Sequence, residues 1–409
     1  MTLADVIMGI ILAGLALYVV LGGADFGAPL WQTAGARGPH ADEIREHAHD
    51  QMSPVWEANH VWLIFVLTVL WTAFPVVFGS IASTLALPLF AAAVGIIIRG
   101  AAYALRGATS TPQQVRLVDT ASAASSVLTP FALGMAVGGI ASGRVPVGNA
   151  AGDLVTSWLN ATSIVIGVLS VATSAYLAAV FLAADARRRG HPELEDAFRA
   201  RALGAGAVAG ALAVAGIVVL GFDDKPLFDD LLGGAGLPGV IVSAAAGVAT
   251  AWLLWTRRFE AARYLSAVAV AAIIAGWALA QDPVVLPGLT VARAAAPQSS
   301  LVAVLVAVIG GGLILFPSLG LLFRLSLGGR LGTGEEGSAE VASGLGVLAA
   351  SRTGLLGRAA VACLLIGIGM LTIAHAQWAH YIGAGALLAF VAVGFAAAIP
   401  ALLPPPRAG

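Results

Sequence analysis

Ionisable side chains interrupt apolar stretches at four places in the first third of the chain. Asp25 follows the first apolar run, Glu57 opens the second, Arg99 lies near the end of the third, and Asp119 lies near the start of the fourth. Charged groups in a lipid-spanning segment are costly, so each is a functional candidate. We therefore expect a hydrated, partly paired cluster at a proton or ion uptake site. Arg99 should pair with Glu57 or Asp119.

Each of these residues also has a purely structural interpretation. Asp25 could be a carboxylate that faces water at a helix terminus, although helix C-termini disfavour anions. Glu57 is favourable near a helix N-terminus. Arg99 could extend its guanidinium to the membrane surface, and Asp119 could cap its helix. Four such groups at one depth in one bundle are less easily explained one by one, which favours a shared site.

A second polar group lies within residues 54–63, whose sequence is PVWEANHVWL. Pro54 suits the first turn of a helix, but that role does not explain why Asn59 and His60 continue the polar character inward. Glu57 and His60 are three residues apart and share a helix face. They could pass protons or could only hydrogen-bond each other.

The elements that must position these residues are predicted by composition. Of 409 residues, 59% are hydrophobic and 11% are charged, whereas soluble domains carry about 25% charged residues. Apolar runs of roughly 20 residues predict membrane-spanning helices. We expect an all-α polytopic bundle of about eleven spans, with spans two and three joined as a tight hairpin at Phe74-Pro75. The spans lie near 5–27, 57–77, 80–105, 118–140, 161–183, 202–221, 238–256, 264–281, 300–323, 358–376 and 381–403.

The same composition argues against several functional classes. A formal net charge of −1 gives no indication of a nucleic-acid partner. The single cysteine, Cys363, excludes an internal disulfide and any cysteine-based iron–sulfur or zinc site within the chain. The first apolar run lacks a basic segment before it, so we expect a retained helix rather than a cleaved signal peptide.

The distribution of positive charge predicts an orientation. Basic residues accumulate in cytoplasmic loops. With the N-terminus outside, all but three of the 21 basic residues fall on the inner side. The three exceptions are Arg144, Lys225 and Arg293. We therefore expect the C-terminus in the cytoplasm, and Asp223, Asp224 and Asp229 in a solvated outer loop.

The C-terminal part is predicted to be an addition to the main membrane domain. We divide the chain into a membrane domain at 1–325, a cytoplasmic linker at 326–357, flexible at 331–345, and an extra transmembrane hairpin at 358–409. His375 and His380 flank Trp378 in that hairpin. They could ligate haem or a metal, but exposed loop histidines are far commoner, so we expect no cofactor or metal ligand there.

These motifs resemble those of a known family, cytochrome bd-type quinol oxidase subunit II. Residues 23–27, GADFG, resemble the family's Gly-Phe-Asp-x-Gly element, and residues 54–63, with Trp56 and Trp62, resemble its Pro-x-Trp-Asp/Glu-x-Asn-x-Val-Trp-Leu element. The two tryptophans could instead be interface anchors. Supporting positions are Pro75 in the Ala-Phe-Pro turn, the inward Arg99, and Asn160 at the start of span five. Gly22 stands where many members have a further acidic residue.

The resemblance implies a heterodimer in the bacterial cytoplasmic membrane. The fold would be two four-helix bundles plus peripheral helices. The partner, subunit I, would carry b- and d-type haems and the quinol site, while this chain would bind no haem. Its implied roles are to stabilise subunit I, to supply a proton path from the cytoplasm, and to guide oxygen. A structural quinone or lipid and small accessory subunits are compatible with it.

Two other functional classes stay open on the residues alone. A secondary transporter or channel would line a substrate path with the same polar groups. Transporters often repeat such an interrupted helix in matching halves, but residues 54–63 have no second copy. A membrane scaffold that keeps the fold without the activity is the third class.

Overall fold

The fold is described by a computed structural model that covers residues 2–34, 41–50, 56–106, 109, 111–327, 355–372 and 377–402. Within these ranges the chain is almost entirely helical. One short antiparallel hairpin, β1 (Val284–Leu286) and β2 (Leu289–Thr290), interrupts the helices. The predicted linker at 331–345 and His375 lie outside the described residues.

The helices follow one another along the chain, and residues 142–160 form a longer connection between α6 and α7. In chain order they are α1 (Leu3–Ala34), α2 (Ala41–Asp50), α3 (Trp56–Ala73), α4 (Pro75–Thr84), α5 (Ala86–Arg106), α6 (Pro112–Ala141), α7 (Ala161–Arg189), α8 (Pro192–Asp223), α9 (Lys225–Gly233), α10 (Leu237–Trp255), α11 (Phe259–Gln281), α12 (Val291–Ala294), α13 (Gln298–Leu327), α14 (Leu355–Thr372) and α15 (Gln377–Leu402).

The predicted class of polytopic all-α membrane protein is confirmed. Within the described residues, seven helices are long and apolar enough to cross a membrane, namely α1, α5, α6, α7, α8, α10 and α11. The other predicted spans correspond to α3, with α4, and to α13, α14 and α15, whose described apolar stretches are shorter. The apolar runs therefore predicted where helices form.

The connection at Phe74-Pro75 differs from the expected hairpin. Phe74 has φ −136° and ψ 62°, because a residue before proline is excluded from the helical region. Pro75 then starts α4, a separate ten-residue helix. The chain therefore reaches α5 through an extra helix and a second break at Leu85, rather than through one tight turn.

The long helices form two groups within residues 1–310. The first group comprises α1, α3, α5 and α6, and the second comprises α7, α8, α10 and α11. Because α1 and α6 both pack against α7, the two groups are in direct contact. This arrangement matches the expected pair of four-helix bundles.

The contact between α1 and α7 depends on small residues. A Cβ atom added at Gly27 would collide with the backbone carbonyl of Ser174, and one at Gly23 would lie 3.1 Å from a Leu177 methyl group. Small residues let helices approach closely in lipid, where packing drives association. The Trp31 indole N–H, one turn after Gly27, donates to the Ala175 carbonyl at 2.9 Å. This close approach sets the position of the residues between the two glycines.

Residues 311–409 form a second unit, in which α14 and α15 pack against each other. A Cβ atom at Gly367 would lie 2.6 Å from the Leu387 side chain, so this pairing also depends on a small residue. Cys363 on α14 is half-buried. Trp378 on α15 is exposed, while the side chain of His380 is outside the described residues.

Candidate functional site

A buried ion pair joins α1 to α5. The Arg99 guanidinium donates through Nη2 to Asp25 Oδ1 at 2.6 Å and through Nε to Oδ2 at 3.1 Å. Nη2 also donates to the Asp25 backbone carbonyl at 2.9 Å. The Asp25 side chain is 0% exposed and the Arg99 side chain 6% exposed. A two-bond contact of this kind is strong and geometrically specific, so it fixes α1 against α5.

Two further groups hold the Arg99 guanidinium. Its Nη1 donates to the Ser126 hydroxyl of α6 at 3.2 Å, and its Cζ lies 5.2 Å from the centre of the Phe26 ring. That ring meets the His60 ring edge-on, with 6.0 Å between centroids. The pair is thus connected to α6 on one side and, through an aromatic contact, to α3 on the other.

The local sequence explains why the pair can form at this depth. Asp25 lies between Gly23 and Gly27, whose packing against α7 buries this part of α1. On α5, a Cβ atom at Gly95 would collide with the Thr129 hydroxyl of α6. Gly95 lies one turn before Arg99, so the close approach of α5 and α6 places the guanidinium between α1 and α6.

The described partner of Arg99 is an acid that the sequence analysis had not paired with it. The partner of Arg99 is Asp25, and not Asp119, while the side chain of Glu57 lies outside the described residues. Asp119 is half-buried on α6, seven residues before Ser126, or about 10 Å along the helix axis. Both Asp25 and Arg99 are buried. The sequence therefore identified both members of the pair but not the pairing.

Among the residues of the second motif, the structure places Asn59 and His60 next to the pair. Asn59 is buried, and its Nδ2 donates to the Leu21 carbonyl of α1 at 3.2 Å. His60 is half-buried and lies within electrostatic range of Asp25. Trp62 is half-buried and packs edge-on against Phe65. The side chain of Trp56 is outside the described residues.

A stripe of hydroxyl groups on α6 was missed by the sequence analysis. Ser122, Ser126 and Thr129 follow Asp119 at intervals of three, four and three residues, so all four share one helix face. Ser126 and Thr129 are fully buried, and the Ser126 hydroxyl donates to the Ser122 carbonyl at 2.8 Å. The spacing of these hydroxyls in the printed sequence could have indicated the stripe, although such groups often bond only their own backbone.

A second ion pair lies at the opposite end of α6. Arg144 donates to Asp223 through Nη1 at 2.7 Å and Nη2 at 2.5 Å, and the Thr162 hydroxyl donates to the same carboxylate at 2.6 Å. This pair raises the pKa of Arg144, chiefly through the hydrogen bond to Asp223. Asp223 was expected to be solvated, and the structure instead gives it a fixed partner.

A charged network lies where α7 ends and α8 begins. The buried Glu195 carboxylate accepts from Arg187 at 3.1 Å and from Arg257 at 2.8 Å. Nearby, His47 of α2 is buried, with its Nε2 3.2 Å from the Leu182 carbonyl and 3.8 Å from Asp185. Burial lowers the pKa of His47. This network ties α2 and the α10–α11 turn to α7 and α8.

The described residues contain no group of three or more His, Cys, Asp or Glu side chains arranged to hold a metal ion. The arrangement around Asp25 offers one acid, one permanent cation, an amide and an imidazole. These groups can carry hydrogen bonds and protons.

Comparison with known proteins decides the family. The chain matches the description "cytochrome bd terminal oxidase subunit II" over residues 3–326. It belongs to the cytochrome bd oxidase subunit II family. Among solved structures it is similar to a chain of the bd oxidase from Geobacillus thermodenitrificans, with a TM-score of 0.64 and 26% identity over 80% of this chain and 99% of that chain. A search of the curated proteins finds no match.

This subunit II family membership confirms the resemblance noted in the motifs. The match ends at residue 326, so α14 and α15 lie beyond it. As a family member, the chain is a membrane component of a cytochrome bd oxidase complex, a quinol oxidase. The Asp25–Arg99 pair lies within the matched region.

Proposed function

We propose that the chain is the non-haem subunit II of a quinol:oxygen oxidoreductase of the bacterial cytoplasmic membrane. It stabilises a haem-bearing subunit I, which holds the b- and d-type haems and oxidises quinol. It also supplies protons from the cytoplasmic side for the reduction of oxygen to water. The observation that carries the proposal is the buried Asp25–Arg99 pair, with the polar stripe of α6 running from it toward Asp119.

A proton path needs polar groups that cross an otherwise apolar layer. Polar and ionisable residues inside a membrane commonly mark such relays. Asp119 is the half-buried acid nearest the start of α6, and Ser122 and Ser126 continue its helix face toward Arg99. The orientation expected from the basic residues places this start of α6 on the cytoplasmic side. Asp119 would therefore receive protons first.

The ion pair has a separate structural role in the proposal. A buried carboxylate is tolerated because Arg99 neutralises it and donates a hydrogen bond to each of its oxygens. Breaking such a pair by removing one partner is strongly destabilising. Asp25 and Arg99 would thus hold α1, α5 and α6 in register. Asn59 and His60 of α3, which lie beside the pair, would complete the path together with Glu57.

The remaining parts of the proposal concern ligands of the assembled complex. Oxygen would reach the haem subunit along the apolar packing of the bundle, and a quinone or lipid could be held structurally on its surface. The wide apolar faces of α3 and α5 include exposed Ile64, Phe90 and Ile97. A membrane helix buries such a face against lipid or another subunit, which fits a partner in the membrane.

The first experiment is purification of the tagged chain from its native membranes. We expect it to copurify with a polytopic partner that shows d-type haem absorption. A chain that purifies alone, with substrate-dependent uptake in vesicles, would instead support the transporter alternative.

The second experiment tests the proton path in the purified oxidase. Glu57→Gln and Asp119→Asn should each slow oxygen consumption by about tenfold or more at unchanged haem content, because loss of a proton-transfer group costs about 10²-fold or more when it is rate-limiting. Asp153→Asn is the matched control, since Asp153 is an exposed loop acid. Unchanged turnover in both test variants would remove the proposed path.

A further inference from the structure

Two buried polar atoms beside the Asp25–Arg99 pair have no hydrogen-bond partner among the described residues. One is the hydroxyl of Tyr18 on α1, a residue only 5% exposed, and the other is Oδ1 of Asn59 on α3, a residue only 1% exposed. Burying a polar atom without a partner costs free energy because its hydration is lost. Two such atoms in one region indicate a missing ligand that can bond to both.

The backbone places these two atoms in the same region. Tyr18, Gly22 and Asp25 are spaced by four and three residues, so they share a face of α1. The Tyr18 ring lies across Gly22, where an added Cβ atom would be 3.3 Å from it. Asn59 reaches this part of α1 through its bond to the Leu21 carbonyl. The charges of Asp25 and Arg99 act on the Tyr18 hydroxyl.

We propose that Tyr18 and Asn59 hold an internal water molecule between α1 and α3, next to Asp25. The water would accept from the Tyr18 hydroxyl, and would donate one O–H to Asn59 Oδ1 and the other to the Asp25 carboxylate. Buried waters typically make about three hydrogen bonds to otherwise unsatisfied groups. The donor and acceptor types match this arrangement, because the amide oxygen and the carboxylate can only accept while the hydroxyl can donate.

In this arrangement Tyr18 is a positioning residue. It does not itself exchange a proton, but orients a water that does. A proton taken up on the water's free lone pair can leave along the O–H bond that faces the Asp25 carboxylate, and this restores the water. The role in turnover rests on the proposed proton path, whereas the presence of the water does not.

The water is tested by stability measurements on the assembled oxidase. If the Tyr18 hydroxyl holds a water, Tyr18→Phe removes the hydrogen bond from the hydroxyl to that water. The water and its bond to Asn59 are then held less well, and the melting midpoint should fall by roughly 2 °C. If the pocket is dry, removing an unpaired buried hydroxyl is neutral or stabilising. An unchanged or raised midpoint in Tyr18→Phe would therefore overturn the inference.

Infrared spectroscopy of the same protein detects the water directly. We expect an O–H stretching band that shifts on exchange into water containing oxygen-18 and that is missing in Tyr18→Phe and in Asn59→Leu. Tyr176→Phe is the matched control, because Tyr176 is also buried but its hydroxyl bonds to Thr250. A band that persists in both test variants would contradict the site.

Turnover measurements separate this inference from the proposed function. Tyr18→Phe should slow oxygen consumption about fivefold, the factor by which one neutral hydrogen bond changes a rate, and the double variant with Asn59→Leu should be no slower than the slower single variant. Full turnover in Tyr18→Phe, with turnover lost in Glu57→Gln, would overturn the positioning role and leave the path intact. Full turnover in all of these variants would overturn both.

Discussion

Two ion pairs of the same composition occupy opposite environments in this protein. Asp25–Arg99 and Asp223–Arg144 each join an arginine to the two carboxylate oxygens of an aspartate, and each has one hydroxyl neighbour. The first pair is almost fully buried, with side chains 0% and 6% exposed, whereas the second has side chains 15% and 36% exposed. Identical chemistry can therefore have very different energetic consequences.

The difference follows from what replaces a lost partner. Near the surface, water solvates a released charge, so an exposed pair contributes only about 0–1 kcal/mol. The Asp25 side chain is fully buried, so an unpaired charge there keeps its desolvation cost. The buried Asp25–Arg99 pair, here called the inner pair, should thus be required for assembly. The more exposed Asp223–Arg144 pair, the outer pair, should only strengthen a loop.

The largest effect is expected for Arg99→Gln. This change leaves the Asp25 carboxylate buried without a cation, and should destabilise the chain by roughly 3–5 kcal/mol. Purified complex should be scarce and poor in haem, as measured by visible absorption per unit of protein. A variant with normal yield and haem content would show that the inner pair is as dispensable as a surface pair.

A double variant, Asp25→Asn with Arg99→Gln, sharpens the same test. Both charges are then absent, and replacing a buried pair as a whole is often close to neutral. We expect stability and haem content to recover most of the loss seen in Arg99→Gln. If turnover recovers equally, Asp25 has only a structural role; if turnover stays low, its charge is needed for proton delivery.

A smaller effect is expected for Asp223→Asn at the outer pair. The released Arg144 can turn to water, so we expect a loss of about 1 kcal/mol, seen as a modest fall in melting temperature with haem content and turnover unchanged. Asp229→Asn is the control, since Asp229 is exposed and pairs with Lys225 four residues away on the same helix. A loss of stability as large as that of Arg99→Gln would show that burial does not distinguish the two pairs.

The smallest effect concerns the buried His47 on α2. Burial lowers its pKa below the usual 6.5, so the unfolded state binds a proton first as the pH falls. The stabilising contribution of neutral His47 is therefore fully present above about pH 6.5 and is lost as the pH falls toward the lower folded pKa. Hydrogen exchange of residues 41–50, corrected for intrinsic rate, should quicken as the pH falls below about 6.5. His47→Gln should remove that pH dependence, and an unchanged dependence would assign it to another group.

The sequence by itself determined the fold class and the candidate residues. Apolar runs of membrane-spanning length require helices, because only a closed hydrogen-bond pattern satisfies the backbone in lipid. The proline at position 75 likewise determined a break at Phe74. Asp25 and Arg99 could be recognised because a charge inside an apolar run has a cost that composition alone reveals.

Only the tertiary structure decided which of these groups meet. Asp25 and Arg99 are 74 residues apart, and their contact depends on how closely α1 approaches α7 at Gly27 and how closely α5 approaches α6 at Gly95. The partner of Asp223 was likewise decided by the fold. The sequence analysis expected this residue in a solvated loop, and the structure pairs it with Arg144. Charge and hydrophobicity are properties of single residues, whereas a partner is determined by the packing of whole helices.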